Sequence, residues 1–379
     1  MKIAFIHNEK KIGTGAHYIN DLMALKLRSL GLRVNNFYPK SSLMDTPEHM
    51  NGIKNILFFY SLLEKRKKIL KHDLIQGTTY TVLPFLTEKI LTISHFGSTS
   101  RGFLQNTPFI SSIEGELKKI WHDLKEGRVI KDVNIATRRP MRDIADMEEY
   151  VAKKTDFVVA TSEKVKNELM FSGVDEKKIR LIHNCIEDYW FDNGRNAFQK
   201  DFNLVFLGRL GDDVFTLKLK GIDRLIDVYQ SFPEVPKKTI CITRNNRLLT
   251  WLQKNVVNHS YFSNVLKDNI PQLMNGLKGS VLYLPSRYEG FSLSLIEGMS
   301  QGLIPVAYSV GVVPEIIKEG VNGFIVQSQE QAKMKIKELS MDREMRNSIA
   351  NNAIKTAESF SSNIIIKNLV SLYEEVLYN

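Results

Sequence analysis

The segment Leu284-Pro-Ser-Arg-Tyr-Glu289-Gly-Phe-Ser-Leu-Ser-Leu-Ile-Glu297-Gly-Met-Ser-Gln-Gly302 carries the residues best suited to chemistry in this chain. An apolar run ending at Leu284 reads as a buried strand. The loop after it exposes Glu289, and a helix opens near Ser292, a residue type favoured at helix starts. The first amides of a helix lack intrahelical acceptors and sit at the positive end of its dipole, so this turn suits a phosphate. Glu297 falls one turn further on, where a carboxylate can accept two hydrogen bonds from a ribose diol. Gly290 and Gly302 permit close backbone approach at either end. Either glutamate alone would read as a complement to the helix dipole; the pair, seven residues apart in a strand–loop–helix setting, is more specific.

Two cations fit the same chemistry. Arg209 ends Phe206-Leu-Gly-Arg209 and Lys220 precedes Gly221, one a planar fork and the other a point charge, both suited to an anion. Lys218, two residues before Lys220, offers the same charge and stands as its alternative. Asp212-Asp213 lacks the strand expected around a metal-binding pair and reads as a turn, so no metal or other cofactor is required. In the first half, Gly13-Thr-Gly15-Ala follows a strand and opens a helix, but Tyr18 stands where a dinucleotide fingerprint has its third glycine. His95 ends a strand over 90–94, at the carboxyl edge where open α/β sheets keep ligands; a structural role stands beside a functional one.

The elements that must hold these residues alternate strand and amphipathic helix throughout, the pattern of β-α-β units and parallel sheets. Strands are expected over 3–6, 90–94, 157–160, 179–182, 203–207, 239–243, 281–284, 304–307 and 324–326. Helices are expected after Gly15, over 161–171 with Thr161 and Ser162 as caps, and over 361–377. Residues 187–200 lose periodicity and read as an interdomain linker. The stretch 97–140 mixes exposed-looking aromatics (Phe96, Phe103, Phe109, Trp121) with basic residues, as binding loops do. Phe103, Arg138 and Arg139 are its acceptor-binding candidates.

With 379 residues, 43% hydrophobic and 25% charged, the chain has room for two soluble domains. Cys185 and Cys241 lie in apolar segments far apart and read as buried thiols, which suits a reducing compartment. No run approaches the length of a spanning helix, and residues 3–6 are too short for a signal peptide. The +10 charge is uneven: residues 1–142 hold 23 Lys and Arg against 12 Asp and Glu. Solvated helix faces explain that, as does an anionic partner, a membrane face or acceptor. Nucleic acid is not expected, for want of zinc spacing, RNA-binding aromatics or a basic zipper.

The Glu289–Glu297 segment resembles the signature of retaining glycosyltransferase family 4, enzymes of the GT-B architecture. Phe206-Leu-Gly-Arg209-Leu and Lys220-Gly221 resemble the family's Gly-Arg and Lys-Gly, and Gly311-Val-Val-Pro-Glu315 its Gly-Gly-x-Pro-Glu block. Val158-Val-Ala-Thr-Ser162 and Ile182-His-Asn-Cys-Ile186 resemble closing strands of its first domain; Phe360-Ser361 resembles the start of its crossover helix. Matching pieces run from residue 3 to about 325.

The resemblance implies two Rossmann-like domains, 1–190 and 200–358, with parallel sheets facing a central cleft, and a helix over 359–379 crossing back to the first. It implies a metal-independent retaining transferase that moves a hexosyl sugar from a nucleotide-diphosphate sugar, UDP preferred, in cell-surface glycan or glycolipid synthesis. Arg209, Lys220 and the backbone at Phe291, Ser292 and Leu293 would hold the diphosphate, Glu297 the ribose, Val265 the base. Glu289 would hold the sugar, and His95 and the loop at Gly15 would act from the first domain. The leaving phosphate would take the acceptor proton. Acceptors would be glycans, glycolipids or other anionic molecules, the location cytoplasmic or peripheral at the inner membrane face. Departures are Ile242-Thr-Arg244-Asn245-Asn246, without glycine, Tyr261-Phe-Ser263-Asn-Val265, and Val312 for a glycine. A nucleotide-sugar epimerase and a silent nucleotide-sugar sensor are the competing readings.

Overall fold

Apolar runs such as Ile-Ala-Phe-Ile and Val-Leu-Tyr-Leu offer no polar face, so they must pair into sheets covered on both sides. The computed structural model describes residues 1–7, 15–40, 58–133, 139–192, 201–211, 213–241 and 246–378. Its strands form two six-stranded parallel sheets. One contains β1 (Lys2–Ile6), β2 (Arg33–Phe37), β3 (Leu74–Thr78), β4 (Leu91–Phe96), β5 (Phe157–Ala160) and β6 (Ile179–Leu181) in the order β2-β1-β3-β4-β5-β6. The other contains β7 (Leu204–Gly208), β8 (Lys237–Cys241), β9 (His259–Ser263), β10 (Val281–Leu284), β11 (Ile304–Tyr308) and β12 (Phe324–Val326) in the order β12-β11-β10-β7-β8-β9. The chain order reverses between β1 and β3 in the first sheet and between β7 and β10 in the second. In open α/β sheets, ligands bind outside the carboxyl ends at such points.

The expected strands are present with ends shifted by up to two residues. The helix over 161–171 runs Glu163–Phe171, its start capped by Ser162 Oγ, which accepts from the Val165 amide at 3.2 Å. The tail forms the helix Ser362–Tyr378. Strands β2, β3 and β9 lack a continuous apolar run and escaped the sequence pattern. β3 shows how such a strand is buried anyway, since Tyr373 Oη donates to Gln76 Oε1 at 2.5 Å.

Each sheet belongs to its own compact unit. The first unit comprises Met1–Leu104, Thr137–Cys185 and Ser362–Asn379; the second comprises Gln105–Ala136 and Ile186–Ser361. The division corrects two expectations. Residues 105–136, assigned by chain order to a first domain over 1–190, build into the second unit. Their helix Gly115–Glu126 buries Ile120, Trp121 and Leu124 in one cluster with Leu225, Tyr229, Leu248 and Leu252. Phe96 and Trp121 are therefore core residues, and of the four aromatics only Phe109 is strongly exposed, at 64%. The expected linker is likewise folded where described, since Trp190 is buried in the helix Tyr189–Asp192; residues 193–200 lie outside the described residues.

In the second unit the period-2 alternation of β7 sends Leu204 and Phe206 to one core and Val205 and Leu207 to the other. Both cysteines are buried without a disulfide. No described helix is long and apolar enough to cross a membrane. The first unit holds 26 Lys and Arg against 18 Asp and Glu, the second 26 against 24, so the basic excess follows the first unit.

Candidate active site

β7 and β10 are neighbours at the reversal point of the second sheet, and each delivers its site residues directly past its carboxyl end. Arg209 follows β7; it is exposed and has no hydrogen-bond or ion-pair partner among the described residues. The loop after β10 is held on several sides. Arg224 Nη1 donates to the Pro285 carbonyl at 3.2 Å, and Arg287 grips buried Asp223 with two bonds of 2.7 and 2.6 Å. The Arg287 amide donates to the Leu219 carbonyl at 2.7 Å. Gly311 (φ +53°) passes so close that a Cβ there would stand 2.8 Å from the Glu289 carbonyl oxygen.

Glu289 is thereby presented from a rigid loop. Its Oε1 accepts from Lys220 Nζ at 2.6 Å and from Ser286 Oγ at 2.8 Å. Lys220 caps the helix Val214–Leu219, and Gly221 behind it adopts φ +64°. Only glycine fits at 221, where a Cβ would lie 2.1 Å from the Pro285 carbonyl oxygen. At the other end of this helix Asp213 accepts from the Thr216 amide and hydroxyl at 2.8 Å each, so its role is a cap; Asp212 lies outside the described residues. Lys218 is buried, donates to the Pro108 carbonyl at 3.1 Å, and lies 5.8 Å from the centre of the Trp121 ring. Burial, then nearby Arg287, lowers its ammonium from the ordinary lysine range.

The helix Leu293–Ser300 opens differently from the expectation. Ser292 makes no side-chain cap; it sits in the left-handed region at φ 88°, ψ 77°. Such a conformation in a residue other than glycine costs on the order of 1–3 kcal/mol and often marks a functional turn. Phe291 is buried, 6.1 Å from Phe360 between ring centres, so only its backbone can serve a ligand. Glu297 lies in the second turn with its side chain 4% exposed. Its Oε1 meets Lys267 Nζ at 3.3 Å, and the same ammonium contacts both oxygens of Glu187 at 2.8 and 2.9 Å. Burial raises the Glu297 carboxyl, an effect opposed by Lys267. Burial would lower Lys267, but Glu297 and Glu187 together lift it above its ordinary value. Glu187 and Lys267 were missed in the sequence. Trp190, a large aromatic in a supposed linker, was the available signal. Val265 is half-buried against the same core.

In the first unit, β4 extends to Phe96 and places His95 opposite Thr78 and Val159. His95 is buried with Nε2 unpartnered, and burial lowers the imidazole to about 4, so it is neutral at pH 7. Thr79, at φ 44°, donates its amide to the His95 carbonyl at 3.0 Å. Gly15 opens the helix Gly15–Ser29, from which Asn20 donates to Thr78 Oγ1 at 2.8 Å. Of the acceptor candidates, Phe103 is half-buried in the helix Ser100–Asn106, Arg139 begins the helix Arg139–Lys154, and Arg138 lies outside the described residues. The second unit thus joins Lys220 to Glu289 and Glu297 to Lys267, while His95 and Gly15 belong to the edge of the other sheet. Among the described residues no group of three His, Cys, Asp or Glu could hold a metal ion.

Residues 191–356 match the family described as glycosyl transferases group 1. An uncharacterised glycosyltransferase of Methanocaldococcus jannaschii is 27% identical over 244 residues, 60% of each chain. The curated relatives first matched are spanned over 52 to 62% of their own length. Sucrose-phosphate synthase from Thermosynechococcus elongatus has a TM-score of 0.74 at 14% identity, over 100% of both chains. Anabaena Alr3699/HepE, solved in complex with UDP-glucose, has a TM-score of 0.67 at 16% identity, over 99% of this chain and 100% of that one. At these identities the structural likeness is one of fold.

Proposed function

We propose that this chain, whose residues 191–356 match the glycosyl transferases group 1 and whose fold is GT-B, moves a hexosyl sugar from a UDP-sugar to a glycan or glycolipid acceptor with retention of configuration. The observation that carries the reading is the second unit's reversal point. There Arg209, the Lys220–Glu289 pair and a helix start followed by Glu297 stand past adjacent strands.

Each group has a task the chemistry demands. Arg209 and Lys220, with the amides of Ser292 and Leu293, take the diphosphate and neutralise the charge that grows on it as the sugar leaves. Glu297 accepts from the ribose diol. Glu289 holds sugar hydroxyls and shares Lys220 with the phosphate, so donor binding exchanges one anionic partner of the lysine for another. The neutral imidazole of His95 is assigned to the sugar as a hydrogen-bonding group. The leaving phosphate oxygen takes the acceptor proton, so no separate side-chain base is assigned and no metal is invoked. The UDP preference draws support from the Anabaena neighbour solved with UDP-glucose. The +8 excess of the first unit suits an anionic acceptor or an anionic membrane face on the cytoplasmic side.

The test is thermal stabilisation by UDP, GDP, ADP and dTDP, wild type beside Glu297→Ala, followed by transfer assays with sugars of the base that binds. A ligand at a hundred times its dissociation constant adds about 2.7 kcal/mol, readily seen as a rise in melting temperature. UDP is expected to stabilise the wild type and to lose most of its effect on the variant. No shift with any of the four would sink the nucleotide-sugar reading.

A further inference from the structure

Lys267 is a deeply buried cation near the candidate site, with its side chain 4% exposed and two carboxylates for one ammonium. A lysine ammonium has three donors. Here two go to Glu187, at 2.8 and 2.9 Å, and the third faces Glu297 at 3.3 Å. No donor is left for a phosphate, which separates Lys267 from Lys220 and excludes it as a diphosphate ligand. Its anchor is fixed in turn. Trp190 Nε1 donates to Glu187 Oε2 at 3.2 Å, and the Trp190 carbonyl accepts from Gln301 Nε2 at 2.7 Å. Gln301 ends the very helix that carries Glu297. The contacts therefore form a closed ring from the end of that helix through Trp190, Glu187 and Lys267 back to Glu297.

We propose that Lys267, clamped between Glu187 and Glu297, is a positioning residue for the donor nucleotide: it holds one oxygen of Glu297 and leaves the other turned to the ribose diol. The proposal rests on the reading of Glu297 as the ribose acceptor and adds what fixes it. The Glu297 carboxylate has no hydrogen-bond or ion-pair partner other than Lys267 among the described residues, so its second oxygen is uncommitted. The electrostatics run the same way. Burial raises the Glu297 carboxyl and Glu187 adds to this, while Lys267 alone opposes them. The other titratable groups that face the ring are Tyr189, which burial, Glu187 and Glu297 raise, and Asp268 beside it. Without the ammonium, Glu297 would hold its proton to higher pH and lose acceptor capacity toward the diol.

A purely structural clamp would affect folding alone, so the test reads ribose recognition. Affinities for UDP and for 2′-deoxyuridine diphosphate are measured by calorimetry between pH 6 and 9 for wild type, Glu297→Gln, Lys267→Met and Lys267→Arg. The double variant Glu187→Gln/Lys267→Met joins them because it removes both partners of the buried pair together, which proteins tolerate better than removing one. If GDP or ADP proves to be the one that binds, it and its 2′-deoxy form replace the uridine pair; preferred binding of dTDP, already a 2′-deoxynucleotide, overturns the ribose reading and the proposal with it. Wild type should prefer the ribonucleotide at least tenfold. In Lys267→Met and the double variant that ratio should fall toward one at pH 7 and partly recover by pH 9, as Glu297 ionises; Lys267→Arg should keep it. A folded Lys267→Met or double variant with the wild-type ratio at pH 7 overturns the proposal while the ribose reading stands. An unchanged ratio in Glu297→Gln overturns both.

Discussion

Two lysine–glutamate contacts in the second unit use the same chemical groups and differ in exposure. Lys220 and Glu289 meet at 2.6 Å with side chains 24% and 15% exposed, on a loop edge. Lys267 meets Glu187, 15% exposed, and Glu297 with its own side chain and that of Glu297 each 4% exposed. A partly solvated pair gains little over its hydrated components, so a phosphate can replace one partner at small cost. Breaking a buried pair by removing one partner costs about 3–5 kcal/mol, because a charge is stranded without water. Desolvation thus makes one lysine exchangeable and the other fixed, and chemistry and positioning divide along that line.

The largest expected effect breaks the exposed pair through its backbone. Gly221→Ala places a Cβ where the Pro285 carbonyl oxygen stands at 2.1 Å, at a φ of +64° that disfavours any side chain. Lys220 and the Glu289 loop cannot both keep their places, so transfer should fall more than a hundredfold and the melting temperature should drop. A variant with wild-type turnover would show that Lys220 need not stand against this loop. Next, Lys220→Met removes the charge alone. Turnover should fall on the order of a hundredfold, as when other preorganised donors to a leaving oxyanion are lost, with the ribose-to-deoxyribose preference intact. That pattern is the reverse of the one expected for Lys267→Met. Steady-state kinetics beside calorimetry separates them, and a loss of ribose discrimination in Lys220→Met would erase the division of labour.

The legibility of these two pairs in the sequence differs for the same physical reason. Glu289 and Glu297 flank a helix start and Lys220 ends a helix before a glycine, where local signals are strong and residue type reports on chemistry. Most strands were equally plain, because two-sided burial writes an apolar run. Glu187 and Lys267 lie 80 residues apart; Trp190 hints that the first neighbourhood is buried, but nothing in the sequence names Lys267 as the partner. Long-range pairing also defeated the domain boundary. The helix Gly115–Glu126 lies in a basic, aromatic stretch that reads as a binding loop until Trp121 is seen to fill the core of the second unit. Type preference marks Ser292 as a side-chain cap but says nothing about a φ of 88°.

The smallest expected effect tests the two lysines that residue spacing left in competition. Lys218 and Lys220 are two residues apart on one short helix, yet only Lys220 reaches Glu289. Lys218 is enclosed, with a carbonyl as its hydrogen-bond acceptor and the Trp121 ring beneath its ammonium. Its burial lowers the ammonium, so the charge is a burden on the fold that the Pro108 carbonyl only partly offsets. Lys218→Met keeps the length and apolar stem, removes that charge, and gives up one hydrogen bond of about 1 kcal/mol. Stability should therefore change by no more than about 1 kcal/mol in either direction, and turnover should stay within a factor of about three. A hundredfold loss of turnover at unchanged stability would move the diphosphate contact to Lys218, and the exposed pair would then serve only to shape the loop.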